Sequence, residues 1–213
     1  VPPSVIAGPD MEIDVGQDVE FVAIFREQEW KDTHKGIFDF GDTSLPGEAV
    51  ISETNDPPRA QGTARAKHAY CDNEEYTATV RIRDDDGGIG MDTLQVKVRN
   101  VPPTVDAGED VYAYPCIPIT LMACFMDPGW CDTHRGSWDF GDCNPPFPAL
   151  ILEKHEPPAG TGTASAMHIY EHCGTYLAEC IVVDDDGASG RDGIAVRVID
   201  VLNKDFEDGF RNR

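Results

Sequence analysis

The chain repeats itself at a fixed offset of 100 residues, and that property limits the folds open to it more than any other. Val1-Pro2-Pro3 returns as Val101-Pro102-Pro103, and Asp32-Thr33-His34 as Asp132-Thr133-His134. His68 and Tyr70 return as His168 and Tyr170, and Asp84-Asp85-Asp86-Gly87 as Asp184-Asp185-Asp186-Gly187. About 40 of the 100 aligned positions are identical, with no insertion or deletion between the landmarks. Two domains are therefore expected, 1–100 and 101–200, and residues 201–213 read as a tail or linker where the pattern lapses. The opening at Val1, with neither Met nor a visible signal peptide, reads as a mature product or a fragment.

Within each copy the hydrophobic period is two. Tyr76, Ala78, Val80 and Ile82 fall on one face, with Thr77, Thr79, Arg81 and Arg83 on the other, and Leu94, Val96 and Val98 repeat the pattern. That alternation marks half-buried strands. Clusters of Gly, Pro and Asp punctuate them, and no long helical stripe competes. About seven short strands per hundred residues predict an antiparallel β-sandwich, with strands near 4–8, 18–26, 36–41, 48–53, 62–69, 75–83 and 91–99.

Charge and cysteine use bound the function. Asp and Glu number 39 against 17 Lys and Arg, a formal net charge of -22. Nucleic acid is excluded as a partner, since phosphate binding needs a basic stripe. A surface that collects cations fits. No apolar run is long enough for a membrane helix, so no membrane insertion is expected. Cys71 stands apart, while Cys116, Cys124, Cys131, Cys143, Cys173 and Cys180 crowd the second copy without CxxC spacing. They read as disulfides formed in an oxidising compartment, against the alternative of buried thiols.

The ordered set Phe38-Asp39-Phe40-Gly41-Asp42, His68, Tyr70, Tyr76 and Asp84 to Gly87 resembles the polycystic-kidney-disease (PKD) domain family. So does its second copy, Trp138 to Asp142, His168, Tyr170, Tyr176 and Asp184 to Gly187. Phe38 departs from the usual Trp, and Thr43 and Cys143 stand where Gly is frequent. The resemblance covers nearly the whole chain. It implies an all-β fold of two tandem immunoglobulin-like sandwiches, used outside the cell or at its surface as spacer, adhesion or accessory modules, some of which hold calcium.

In that strand order the loops carrying Asp32 and Asp84 to Asp86 share one end of the sandwich, as do those carrying Asp127, Asp132 and Asp184 to Asp186. Hard oxygen donors converging from separate loops suit Ca²⁺. Asp32, Asp84, Asp85, Asp86, Asn100, Asp127, Asp132, Asp184, Asp185 and Asp186 are the candidate ligands. The other reading of DDDG is a plain polar turn, with Gly supplying positive φ. The EF-hand pattern is absent. A cation near the linker Asn100-Val101-Pro102-Pro103 would stiffen the tandem more than it would aid folding.

Other residues invite weaker readings. His34 and His134 are expected to bond backbone carbonyls in their loops. Asp39 and Asp42 are expected to bond nearby backbone, and Tyr76 and Tyr176 to form tyrosine corners. Trp30 and Trp130 either plug the sandwich end or present an aromatic face to a sugar. Cys116 with Cys173 is the favoured disulfide and Cys131 with Cys143 the second, leaving Cys71 for a bond between chains. Cys124 faces outward and Cys180 inward, which disfavours a bridge across the core. No nucleophile elbow or sugar cleft supports an enzyme. The expected function is a non-enzymatic, calcium-stiffened spacer or adhesion module of a larger surface protein, partnered by its other domains or neighbouring subunits. The alternatives are a polysaccharide- or protein-binding accessory of a secreted hydrolase, and a subunit of a filament or surface layer.

Overall fold

The computed structural model describes residues 1–200, and the expected linker at 201–213 lies outside the described residues. The chain separates into two compact units, Val1–Asn100 and a second that begins at Val101. Every regular element among the described residues is a strand.

The first unit holds β1 (Ser4–Ile6), β2 (Met11–Asp14), β3 (Val19–Glu27), β4 (His34–Asp39), β5 (Gly47–Asp56), β6 (Arg59–His68), β7 (Glu75–Asp84) and β8 (Ile89–Arg99). They join edge to edge in the order β1-β3-β6-β5-β4-β7-β8-β2. The series folds over at β5, whose residues 47–49 pair with β4 while residues 50–56 pair with β6. Two layers thus face each other across a core of Phe21, Phe25, Phe38, Val80, Ile82 and Val96, all buried. The period-two residues of β7 supply one wall, with Ala78, Val80 and Ile82 inward.

The second unit repeats the plan with β9 (Thr104–Asp106), β10 (Val111–Ala113), β11 (Pro118–Asp127), β12 (Arg135–Asp139), β13 (Phe147–Pro148), β14 (Leu150–Lys154), β15 (Gly160–Ile169), β16 (Gly174–Val183) and β17 (Ser189–Val198). Its sheets are separate, β10-β17-β16-β12-β13 and β14-β15-β11-β9. Pro148 stands where the first unit has Glu48. Proline lacks the N–H a ladder needs, and the strand continuous as β5 is here divided into β13 and β14.

The first strand of each unit departs from expectation. A single strand over 4–8 is replaced by β1, antiparallel to β3, and β2, parallel to β8 in the opposite layer. Carboxylates peg the crossing: Ala7 N–H donates to Asp92 (2.9 Å) and Gln95 N–H to Asp10 (2.8 Å). Ala107 to Asp192 and Ala195 to Asp110 repeat both bonds.

The D-F-G-D and H-x-Y residues are a packing device. His68 stacks on Phe40 with centroids 4.0 Å apart, and its Nε2 meets Asp42 Oδ2 at 2.6 Å. Tyr70 donates to the Phe40 carbonyl (2.9 Å), and the second copy matches each contact through His168, Asp142 and Tyr170. Tyr76 and Tyr176 donate to Asp72 and His172 carbonyls four residues upstream, as tyrosine corners do. Asp39 accepts from Gly41 N–H, while Asp42 accepts from Ser44 in addition to His68. Gly41 sits at φ +81°, where an added Cβ would meet the Thr77 carbonyl oxygen at 2.5 Å. Gly41→Ala is therefore expected to cost about 1–3 kcal/mol, seen as a lower urea midpoint for the first unit.

The Asp42–His68 and Asp142–His168 pairs set an acid limit. Burial pushes both carboxyls up, but bonds from Ser44 and His68, or Asn144 and His168, outweigh it and hold each below the usual carboxylate range. A carboxyl depressed on folding contributes stability above its unfolded value, and that contribution is lost as pH falls through the folded value. The urea midpoint of the chain should thus fall below about pH 4, and Asp142→Asn should flatten that fall for the second unit.

The cysteines correct the expected bridges. Cys116, Cys124, Cys143 and Cys173 are exposed free thiols and Cys180 a buried one, whereas Cys71 and Cys131 are disulfide-bonded. Cys116 has φ 60°, its N–H donates to the Tyr170 carbonyl (2.8 Å), and its Sγ faces the Glu171 carbonyl rather than Cys173. Cys131 and Cys143 are not a pair, since Cys131 is disulfide-bonded and Cys143 is free, and the two lie beyond opposite ends of β12. Cys180 faces inward and Cys124 outward as expected, and burial pushes the Cys180 thiol up to about 12.

Candidate metal centre

The acid-bearing loops meet at one end of each unit because β3 with β4, and β7 with β8, turn there. Glu27 ends β3, Asp84 ends β7, and His34 pairs in register with Asp84. Carboxylate oxygens of Glu27, Asp32 and Asp84 lie within 4.8 Å of one another, and those of Glu29, Asp32 and Asp86 form a second group. In the other unit Asp127, Asp132 and Asp184 make the equivalent of the first group, and all three are buried.

The DDDG turn divides its labour. Asp84 is buried, and its Oδ1 accepts the Gly88 N–H at 2.6 Å to close the turn. Asp85 reaches across to accept the Thr33 N–H (3.2 Å). In the second unit Asp184 accepts from Ala188 N–H (2.7 Å), and Asp185 accepts from both Thr133 N–H and Thr133 Oγ1. The first aspartate of each triplet thus joins the acid cluster, and the second staples the two loops together. Asp86 joins the outer group on the first unit's surface, and Asp186 is exposed. Asn100 follows β8 at the end of the first unit.

Glu27 is a ligand candidate that a search for loop aspartates overlooks. It stands 100 residues before Asp127, and that offset alone marks it. Its Oε1 is buried and accepts no hydrogen bond, as does Asp32 Oδ2. The Val1 ammonium lies 3.8 Å from Glu27 and 3.7 Å from Glu29.

The histidines behind the cluster do not bond backbone carbonyls. His34 is buried with Nε2 2.8 Å from Glu27 and Nδ1 2.7 Å from Glu53, because β3 and β5 bring both carboxylates to it. His134 lies between Asp127 (3.1 Å) and Glu153 (2.8 Å). Burial pushes the His134 imidazole down, but those two carboxylates outweigh it and hold it above its usual range.

Electrostatics leave the clusters short of positive charge. Carboxylates within 4.8 Å of one another repel unless a positive charge stands among them. Asp32 answers with a proton affinity pushed up to about 6, by burial first and then by Glu29, Asp85 and Glu27. All donors in both groups are carboxylate oxygens, which select a hard cation such as Ca²⁺ over zinc or copper.

Trp30 is 38% exposed, with Lys31 Nζ 5.1 Å from its ring centre. Trp130 is half-buried.

The PKD domain family matches residues 1–98 and again residues 100–198. The chain belongs to the PKD domain family. Both PKD domains are immunoglobulin-like sandwiches, a type that is typically non-catalytic and, with a disulfide, typical of extracellular proteins. No helix among the described residues is long and apolar enough to cross a membrane. No curated protein matches the chain. Among solved structures, Dpr2 Ig1-Ig2 in complex with DIP-Theta Ig1-Ig3 is similar at 13% identity and a TM-score of 0.39, covering 93% of this chain and 65% of that one. Red sea bream transglutaminase is similar at 12% and 0.37, covering 92% and 31%. The chain thus spans less than two thirds of either.

Proposed function

We propose that the chain is a non-enzymatic extracellular spacer or adhesion segment in which each PKD domain holds a calcium ion. One observation carries this reading: the same three positions, 100 residues apart, gather carboxylates from three segments in both domains. The buried Oδ2 of Asp32, which accepts no hydrogen bond, supports it, since a buried carboxylate oxygen without a donor is costly unless a cation faces it. At millimolar calcium and a Kd of about 0.1–1 mM, each site contributes about 0.4–1.4 kcal/mol. That is small for folding but enough to hold loops, and through them the Asn100-Val101-Pro102-Pro103 connection, in one arrangement.

Titration calorimetry of the whole chain should give two calcium events, with terbium luminescence sensitised through Trp130, two residues before Asp132. Asp32→Asn and Asp132→Asn should each remove one event. No heat at millimolar calcium, or equal response to magnesium, would overturn the reading. Superimposable scattering profiles in calcium and in chelator would remove the stiffening role while leaving the sites. A second reading, presentation of Trp30 to a polysaccharide, rests on that ring's exposure. Glycan pull-down with Trp30→Ala tests it.

A further inference from the structure

The outer face of the sheet β14-β15-β11-β9 has lost the charges that the equivalent face of the first domain carries. Met122, Met126, Leu150, Leu152, Met167 and Ile169 are each 46–65% exposed on it. The strand register sets them in rows: Thr120 beside Met167, then Met122, Ser165 and Leu150, then Cys124, Thr163 and Leu152. In the first domain the same rows hold Glu20 beside Lys67, then Val22 with Arg65, and Arg26 two rows on, with Arg65 and Glu20 paired at 2.8 Å. Glu20, Arg26, Arg65 and Lys67 thus correspond to Thr120, Met126, Ser165 and Met167. One domain has a solvated face, and its copy has an apolar one.

We infer that this face of the second domain is where two copies of the chain associate, sheet against sheet. The four strands run to 10, 10, 5 and 3 residues, which at about 3.4 Å per residue and about 4.8 Å between strands frame roughly 450 Å². Counted on both partners that is about 900 Å², the size of a weak, concentration-dependent interface. Charge favours a second copy. On a chain of net charge -22, a face without charge in its interior is where two copies meet at least Coulombic cost. The face's charges sit at opposite edges, Lys154 in the row of Met126 and Asp106 in the adjoining row of Cys124. A two-fold axis parallel to the strands turns the β14 edge of one copy over the β9 edge of the other, bringing Lys154 to the partner's Asp106 at both rims. Packed sheets keep their strands within about 30° of parallel, so this stacking is ordinary sandwich geometry repeated between molecules.

Sedimentation equilibrium of the whole chain in chelator tests this apart from any calcium binding. The chain should be a dimer at sub-millimolar concentration. Met126→Arg with Met167→Lys, which restores residues the first domain carries at the same positions, should weaken association about 100-fold by facing like charges across a dry interface. Unchanged near-ultraviolet circular dichroism would confirm that this variant folds. Lys154→Asp alone should weaken the dimer about fivefold, and adding Asp106→Lys should restore it. A monomeric wild type, or a dimer indifferent to Met126→Arg/Met167→Lys, would overturn the inference, and failed restoration would overturn the two-fold arrangement.

Discussion

Trp138→Ala should unfold the second domain at temperatures where the first remains intact. Trp138 is fully buried between the layers, and its Nε1 donates to the Ala164 carbonyl at 3.0 Å. Removing a buried aromatic costs about 3–5 kcal/mol, and loss of the indole hydrogen bond adds about 0.5–1.5 kcal/mol. A domain of this size has about 5–15 kcal/mol in total, and each kcal/mol moves its midpoint by about 4–8 °C. Calorimetry should show one transition lowered by more than about 15 °C and the other in place. The first domain supplies the control, because Phe38 fills the same position with no donor to satisfy. Trp138→Phe should therefore cost much less than Trp138→Ala. Equal losses from both variants would mean that the indole bond, not the buried volume, dominates.

Asp32→Asn should change sign with calcium. In its absence the substitution removes one of several mutually repelling carboxylates, at a place where burial first, and then Glu29, Asp85 and Glu27, push the Asp32 carboxyl up to about 6. The first domain of the variant should then be more stable than wild type in chelator at pH 7.5. In millimolar calcium wild type gains the binding contribution of about 1 kcal/mol, the variant gains almost none, and the order of the two narrows or reverses. Urea midpoints of both proteins with and without calcium decide this. A substitution that destabilises in both conditions would assign Asp32 an ordinary loop-capping role and remove it from the metal centre.

The sandwich could be read from the chain because its strands carry their burial in local alternation. Tyr76, Ala78, Val80 and Ile82 need no distant information to declare a face, and the 100-residue offset doubled every such signal. The crossing between β1 and β2 could not be read this way. It depends on Asp92 and Asp10 bonding backbone 85 residues away, a pairing that leaves no local pattern. The same holds at the cluster. Asp32 and Asp84 announced themselves as loop acids, but Glu27 closes an otherwise regular strand. His34 sits between two glutamates that only the packing of β3 and β5 brings together. The cysteines failed for a related reason. Cys116 with Cys173 is the pair the sequence favours, but a disulfide also requires aligned side chains, and Cys116, at positive φ, has its sulfur toward a carbonyl.

The parallel pairing of β2 with β8 bears on how each domain carries load. The strand near the domain's start and the strand at its end lie side by side in one direction, with four residues of each in register. Tension applied to the two ends therefore slides one strand along the other, and every hydrogen bond of the pair must break together rather than one at a time. The flanking ion pairs, Arg99 with Asp14 at 2.8 Å and Lys97 with Glu12 at 3.4 Å, cross the same seam and resist the same sliding. Resistance to pulling in such a domain is a matter of unfolding rate rather than equilibrium stability. A module of modest thermal stability, built this way, is mechanically strong along its own axis and weak to peeling from the side.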